Sequence, residues 1–592
     1  MASEYWKRYW SRRKLLGASV TAGTGVAGIA LVGCGDDDDD DDGGTPPGGA
    51  GATTTTTAGT SPTTEQPRPG GTARYPLEGT NSGNPPTIFP FENLTYTVQH
   101  PSSLHYSRLL KGRSGPDVNI ADNTELEGDI VQALPEQPDE VTYVFKMKPN
   151  VAFHDKPPMN GRVANAQDVA RTYDAFLAMS QNAAGWKAVV DKFEATDEET
   201  ITATLLAPFA PFLVTHASSA EALWFIPVET IDNDQVKSDP VGTGPWVFRQ
   251  FETSVAMRWD KHPKYHDAPL PYFDKVEASL NNDPQRIVAS LQSGDFDWSH
   301  FDGTFYNDAQ SKLDKEGTYT YEPTAVLGGL YFNFDNKPFD DVRVRLALSR
   351  AMDRDGLLEL TDQTGQGDWQ SHISPALTPY FISPKSQASD FGPSAENFVY
   401  DPAEAKSLLS AAGFPDGLPI KITANVDRYG AAAQQSWEAI ASSISQAGFQ
   451  PELTFQEYGA YIQSTFLGKI PEGVGLGPLI GSPRDPDNIF FTNFHSQSAR
   501  HNWGGTPIAE QAELDAMYDR QRTLLNMSER LQAIKEIQQK MAESMLVVPY
   551  TGAALFKYFQ PWVQNMYPKN GYPWHVESIA KAWFTEERLQ KG

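Results

Sequence analysis

Val141-Thr-Tyr-Val-Phe-Lys-Met147, running on through Lys148-Pro-Asn-Val-Ala-Phe-His-Asp155 to Asn165-Ala-Gln-Asp-Val169, carries the reading of the fold. Residues 141–147 alternate apolar and polar side chains and are rich in β-formers, so they read as a strand with one buried face. Asn165 stands where a helix cap is needed, and Val169, Tyr173, Phe176 and Leu177 follow at helical spacing on one side. The same alternation continues outward. Residues 200–206, 255–259, 276–280, 330–334 and 420–425 read as further strands. Asp283-Pro284 and Asp401-Pro402 each supply a cap and a first-turn proline. The first opens a helix with Ile287, Val288 and Leu291 inside and Gly294 as its stop; the second has Leu408 and Leu409 inside and stops at Gly413. Ser528 is expected to cap a longer helix with the stripe Leu531, Ile534, Ile537, Met541 and Met545. Strands and helices mixed in this way make an α/β architecture, and no internal repeat of 20–50 residues is present.

The chain has 592 residues and a net charge of −27. Beyond residue 71, about 520 residues are too many for one core, so several folded units are expected. The acidic balance argues against nucleic acid as a partner, because that binding needs a basic surface. One cysteine, Cys34, leaves no intrachain disulfide to hold the body. The 13 Trp, 23 Tyr and 31 Phe are mostly core, with some free to line a ligand cleft.

The N-terminus reads as an address. Arg12 and Arg13, in Ser11-Arg-Arg-Lys-Leu-Leu16, form a twin-arginine export motif. A mild apolar stretch to Val32 ends in Leu31-Val-Gly-Cys34, the pattern that lipoprotein processing cuts before the cysteine. Residues 1–33 are thus expected to be a signal peptide and Cys34 the lipidation point. That would anchor the exported protein, by two acyl chains, to the outer face of the cytoplasmic membrane. Residues 34–71, with seven aspartates at 36–42 and a Gly/Pro/Thr-rich continuation, read as a solvated leash. As a flexible coil it would span roughly 30–35 Å.

Several blocks resemble family 5 extracellular solute-binding proteins, the peptide, oligopeptide and nickel receptors of ABC importers. They are Phe145–Asp155 with Ala166-Gln-Asp-Val169, Val241-Gly-Thr-Gly-Pro-Trp246, Leu291-Gln-Ser-Gly-Asp-Phe-Asp297, Asn336–Arg345 with Ala351-Met-Asp-Arg354, Asp401–Phe414 and Asp485-Pro-Asp-Asn488. They occur in family order from about residue 72 onward. The resemblance implies a two-lobe, periplasmic-binding-protein-like fold of type II with an extra subdomain in lobe I. Lobe I is then expected at 72–112, 240–328 and 552–592, the subdomain at 113–239 and lobe II at 329–551. A small-molecule or peptide ligand would lie between the lobes of a monomer, which would dock on an ABC permease served by a separate ATPase. No cofactor is expected, and no Walker loop is present.

Each block also has a plain reading. Gly242 and Gly244 suit a turn with unusual backbone angles. Arg343 and Arg345 are placed to pair with Asp340, Asp341 or Asp353. Asp485-Pro486 reads as a helix cap.

In the peptide receptors an aspartate three residues before the Asp-Pro-Asp-Asn-like turn holds the ligand's ammonium; here that position is Ser482. A free-amine peptide would then need another counter-charge. Peptide-like, sugar and other polar solutes all remain open. Tyr96, Tyr265, Trp369, Tyr429 and Trp503 join Ser482 as ligand-binding candidates, packing beneath loops being the alternative for each aromatic. Trp369 lies among glycine and polar residues, which argues against a core site. Neither His262/His266, with Pro263 between them, nor His495/His501 has the converging ligands of a metal site. The rival class is a secreted, membrane-tethered hydrolase of glycosidase type, which would need two carboxylates across a cleft. No nucleophile elbow or zinc-protease motif is present.

Overall fold

The computed structural model describes residues 66–77, 84–119, 122, 124–218, 223–280, 283–480, 484–498, 508–569 and 576–591. Arg12, Arg13, Cys34, Ser482 and Trp503 lie outside the described residues. Residues 66–71, read from sequence as the end of the leash, already lie against the fold. The Gly70 amide donates to the Tyr272 carbonyl at 2.9 Å, and Arg68 pairs with Glu586 at 2.8 Å.

Among the described residues, three larger sheets, two two-stranded pairs and their helices make the first half of the body. A four-stranded sheet orders Thr72–Pro76, Lys275–Ser279, Ala256–Lys261 and Trp246–Glu252, the first pair parallel and the others antiparallel. Its apolar face includes Trp246, Trp259 and Val276, all buried. A second sheet orders Trp298–Asp302, Ala554–Phe559 and Thr318–Pro323, all antiparallel. The third orders Thr142–Lys146, Thr200–Leu205 and Val190–Ala195. The helix Ala166–Met179 packs on it through Val169, Tyr173 and Phe176, capped by Asn165, whose side chain accepts from the Asp168 amide. The alternation at 141–147 thus becomes a strand with Tyr143 and Phe145 inside.

A five-stranded sheet centres the second half: Phe449–Phe455, Leu418–Ala424, Val474–Ile480, Leu327–Phe332 and Val547–Pro549. Its helices follow their punctuation. Asp401 caps Pro402–Ala411 and Gly413 takes a positive φ of 97° just beyond it. The long helix Met527–Ser544 is capped by Asn526 rather than Ser528, because the Asn526 carboxamide reaches the amides of both Ser528 and Glu529. Arg343 pairs with Asp341 at 2.6 Å as expected. Arg345 instead donates to the carbonyls of Phe339, Asp340 and Ser544. Arg354 likewise holds the carbonyls of Ser349, Phe398 and Pro549. These buried guanidiniums fasten backbone carbonyls from separate segments of the chain.

Two antiparallel chain segments join the halves. The run from Thr318 to Phe332 leaves the sheet of the first half at Pro323 and enters that of the second at Leu327. The return run goes from Val547–Pro549 to Ala554–Phe559, paired with the outgoing run in both sheets. Gln370, fully buried, ties the crossing. Its side chain donates to the Val326 carbonyl at 2.7 Å and accepts from the Gly328 amide at 3.0 Å, while its own amide donates to the Tyr550 carbonyl.

The Gly242/Gly244 turn serves close approach, not unusual angles. A Cβ on Gly242 would sit 2.0 Å from the His105 carbonyl oxygen, at the end of the helix Tyr96–His105, and one on Gly244 would sit 2.6 Å from the His105 carbonyl carbon. Neither contact has a side chain that can yield, so Gly242→Ala is expected to cost about 1–3 kcal/mol. An unchanged denaturation midpoint would refute this.

Buried histidines set the response to acid. Burial pulls His105 and His372 down to about 3 and His262 to about 4, from an ordinary 6.5. A base with a lowered folded pKa gives stability that is complete above 6.5 and is lost as pH falls toward 4 and 3. Asp297 and Asp487, pushed up to about 6 by burial, act oppositely: their contribution is present below 3.8 and lost as pH rises through 6. The three histidines, with larger departures, outweigh the two carboxyls. The thermal midpoint is therefore expected to drop steadily from pH 6.5 to pH 4. A midpoint flat over that range would contradict the assignment.

Candidate functional site

A cavity of about 350 Å³ lies where the two halves meet beside the crossing. Its first wall is the turn Asp302-Gly303-Thr304 with Ala554 and Leu555. Its second is the helix Gly430–Ser445, presenting Ala432, Ala433, Ser436, Trp437 and Ile440, together with Tyr429, Leu357, Leu360 and Pro478. Val326 and Tyr550 from the two crossings make its floor. Tyr550 owes its position to glycine: a Cβ on Gly328 would fall 2.0 Å from the tyrosine hydroxyl oxygen.

The halves touch around this cavity. The Gln363 amide donates to the Gly303 carbonyl, and the Asn307 amide to the Gln363 side-chain oxygen, both at 3.1 Å. Farther away, the Ala210 amide donates to the Arg522 carbonyl at 2.7 Å, and the Arg522 guanidinium lies over Phe491 at 4.4 Å and Phe209 at 5.1 Å. Closed contacts of this kind stabilise one arrangement of two hinged bodies.

Of the candidates from sequence, Tyr429 lines the cavity, edge-on to Trp437 with ring centres 6.0 Å apart, its phenol pushed up to about 12 by burial. Tyr96, Tyr265 and Trp369 lie elsewhere. Tyr96 stacks on His100 in the first half, at a small recess with Tyr75, Trp298 and Lys557. Tyr265, 7% exposed, is packed with Arg108, Lys111 and Asp129. Trp369 is also only 7% exposed, so the loop reading that kept it out of the core is corrected; its indole N–H donates to Asp355 at 2.9 Å. Sequence reasoning missed Asp302, Gln370, Trp437 and Tyr550. For Trp437 a signal was available, since Trp437, Ile440 and Ile444 recur at helical spacing before Gly448.

Asp485 is the cap that its proline announced. Its carboxylate accepts from the Asp487 amide at 2.8 Å while Asn488 reaches back to the Asp485 amide. It also receives both arms of Arg530, at 2.5 and 2.7 Å, with both side chains buried. Asp487 is held by Gln521 and Arg522. Both carboxylates are thus committed to the scaffold. His266 bonds Asp129 and His262 the Gly244 carbonyl; among the described residues no group of three potential ligands is placed to hold a metal.

Residues 125–500 match the family model described as bacterial extracellular solute-binding proteins, family 5 Middle. The dipeptide-binding protein of Escherichia coli is 26% identical over 447 residues, 72% of this chain and 78% of that protein. Heme-binding protein A of Haemophilus influenzae is 24% identical, over 83% of this chain and 88% of that one. Among solved structures, the periplasmic binding protein DppA of Helicobacter pylori, in complex with the peptide STSA, superposes with a TM-score of 0.67. It is 20% identical and covers 87% of this chain and 98% of its own. CtaP of Listeria monocytogenes gives 0.71 at 19% identity, over 88% and 100%. The fold is therefore the mixed α/β fold of periplasmic binding proteins. With paired halves and a cavity at their seam, the chain belongs to the family 5 bacterial extracellular solute-binding proteins, which bind solute rather than catalyse.

Proposed function

We propose that the protein is the membrane-tethered receptor of an ABC importer, which captures one small solute in the cavity between its halves and delivers it unaltered to the permease. The observation that carries this is the 350 Å³ cavity walled by both halves at their crossing. A ligand there touches both walls only when they are closed, so its binding energy favours closure, and closure is what a permease can recognise. The relatives named for dipeptide and heme binding support a solute-carrying role and leave its ligand open.

In this reading, lobe I comprises 72–112, 240–328 and 552–592, with 113–239 as its inserted subdomain, and lobe II spans 329–551. Cys34 carries the lipid after export through the Arg12-Arg13 signal, and the acidic leash lets the body turn at the membrane surface. Native mass spectrometry of the purified protein tests the role. One small molecule per chain, released intact on unfolding, is the expected result. Conversion of that molecule during incubation would restore the hydrolase reading.

A further inference from the structure

Among the described residues lining the cavity, Asp302 carries the only charged side chain. The rest of the lining is dominated by aliphatic and aromatic groups, with hydroxyls and amides of Thr304, Gln435 and Ser436 at intervals. Asp302 ends the strand Trp298–Asp302 and begins the turn Gly303–Phe305, yet its side chain makes no cap bond. No hydrogen bond or ion pair of its carboxylate is found among the described residues, while its surface is open to solvent at the cavity. Protein encloses it on its other sides, and that enclosure raises its pKa above the ordinary carboxylate value.

Its position is fixed by backbone. A Cβ on Gly303 would meet the Ala554 carbonyl at 2.5 Å, so the turn is pressed against the return strand. The strand pairing sets Asp302 opposite Leu555 and His300 opposite Lys557. Lys557, two residues along the same face, is the cation that a ligand carboxylate would need. It is already bound to Glu322 at 2.7 Å and buried with it. A carboxylate entering the cavity would therefore be stripped of water without a partner, which is costly. An ammonium would find Asp302 unclaimed, and charge-assisted bonds of that kind are the strong ones.

Resting on the receptor reading above, we infer that the cavity selects a compact organic cation, an amine on a largely apolar body without a carboxylate, and that Asp302 is its counter-ion. Trp437, Tyr429 and Tyr550 give such a body aromatic surface to lie against.

Four probes sharing one body separate the charges: leucyl-phenylalanine, its C-terminal amide, its N-acetyl derivative and its N-acetyl amide. These are a zwitterion, a cation, an anion and a neutral molecule. By calorimetry on the full chain, freed of cargo by unfolding and refolding, the cation is expected to bind at least about tenfold tighter than the other three. Asp302→Asn should erase that preference and Asp302→Glu should keep most of it, with thermal midpoints confirming that both variants fold. A zwitterion or anion that binds as well as the cation, a preference that survives Asp302→Asn, or four probes that all fail to bind would overturn the inference. The receptor reading is judged apart from this. An intact anionic cargo found one per chain would sink the cation and leave the receptor, whereas a cargo that is chemically converted would sink the receptor.

Discussion

Arg530→Met is expected to destabilise the half that carries it by about 3–5 kcal/mol, among the largest losses available to a single side chain here. The guanidinium gives both arms to Asp485, a third bond to Gln521 at 3.0 Å and a fourth to the Tyr380 hydroxyl, also at 3.0 Å. Methionine fills much of the same volume but leaves Asp485 a buried charge without a cation. The loss reaches beyond the pair, because Asp485 also caps the turn Pro486–Ile489. Asp485→Asn in the same chain removes the orphaned charge and keeps a good capping side chain, so the double variant should regain part of the loss. Denaturant unfolding followed by tryptophan fluorescence reads both. A double variant no better than Arg530→Met would show that the pair is not the unit supposed.

Ala433→Trp is expected to weaken binding of the protein's own cargo by at least about 100-fold, a change of about 2.7 kcal/mol. Ala433 lies on the cavity wall of the helix Gly430–Ser445 and is only half-buried, so an indole can extend into the void without displacing core atoms. It would occupy a large share of the 350 Å³ that a ligand needs. The helix itself should stand, since its buried side is Trp437, Ala439, Ile440, Ser443 and Ile444. Calorimetry for affinity and a thermal melt for folding separate the two effects. Unchanged affinity in a folded Ala433→Trp protein would move the site elsewhere.

How legible these features were depends on how local their physics is. Asp283-Pro284, Asp401-Pro402 and Asp485-Pro486 each cap a helix, because a carboxylate two residues before an unpaired amide needs only neighbours to act. The same locality misled at Ser528, where Asn526 with its longer reach captures the amides first. Arg345 was expected to find an aspartate nearby and instead found the Ser544 carbonyl, 199 positions along the chain. The cavity draws on residues 302–304, 357–361, 429–440 and 550–555, which only the double crossing brings together. Asp302 carries no local signal of the role proposed for it; what distinguishes it is that its carboxylate finds no partner among the described residues, a property of the assembled fold. Trp369 shows the converse: a loop rich in glycine and polar groups still buries its indole when a strand as short as Asp368–Trp369 pairs with Thr551–Gly552.

Small-angle X-ray scattering on the cargo-free chain, before and after return of its own extracted cargo, tests the central claim most directly. The account predicts that the radius of gyration falls on adding one equivalent and that the cargo is recovered chemically intact. Dimensions that do not change with cargo, or cargo recovered in altered form, would contradict a receptor that closes on its solute.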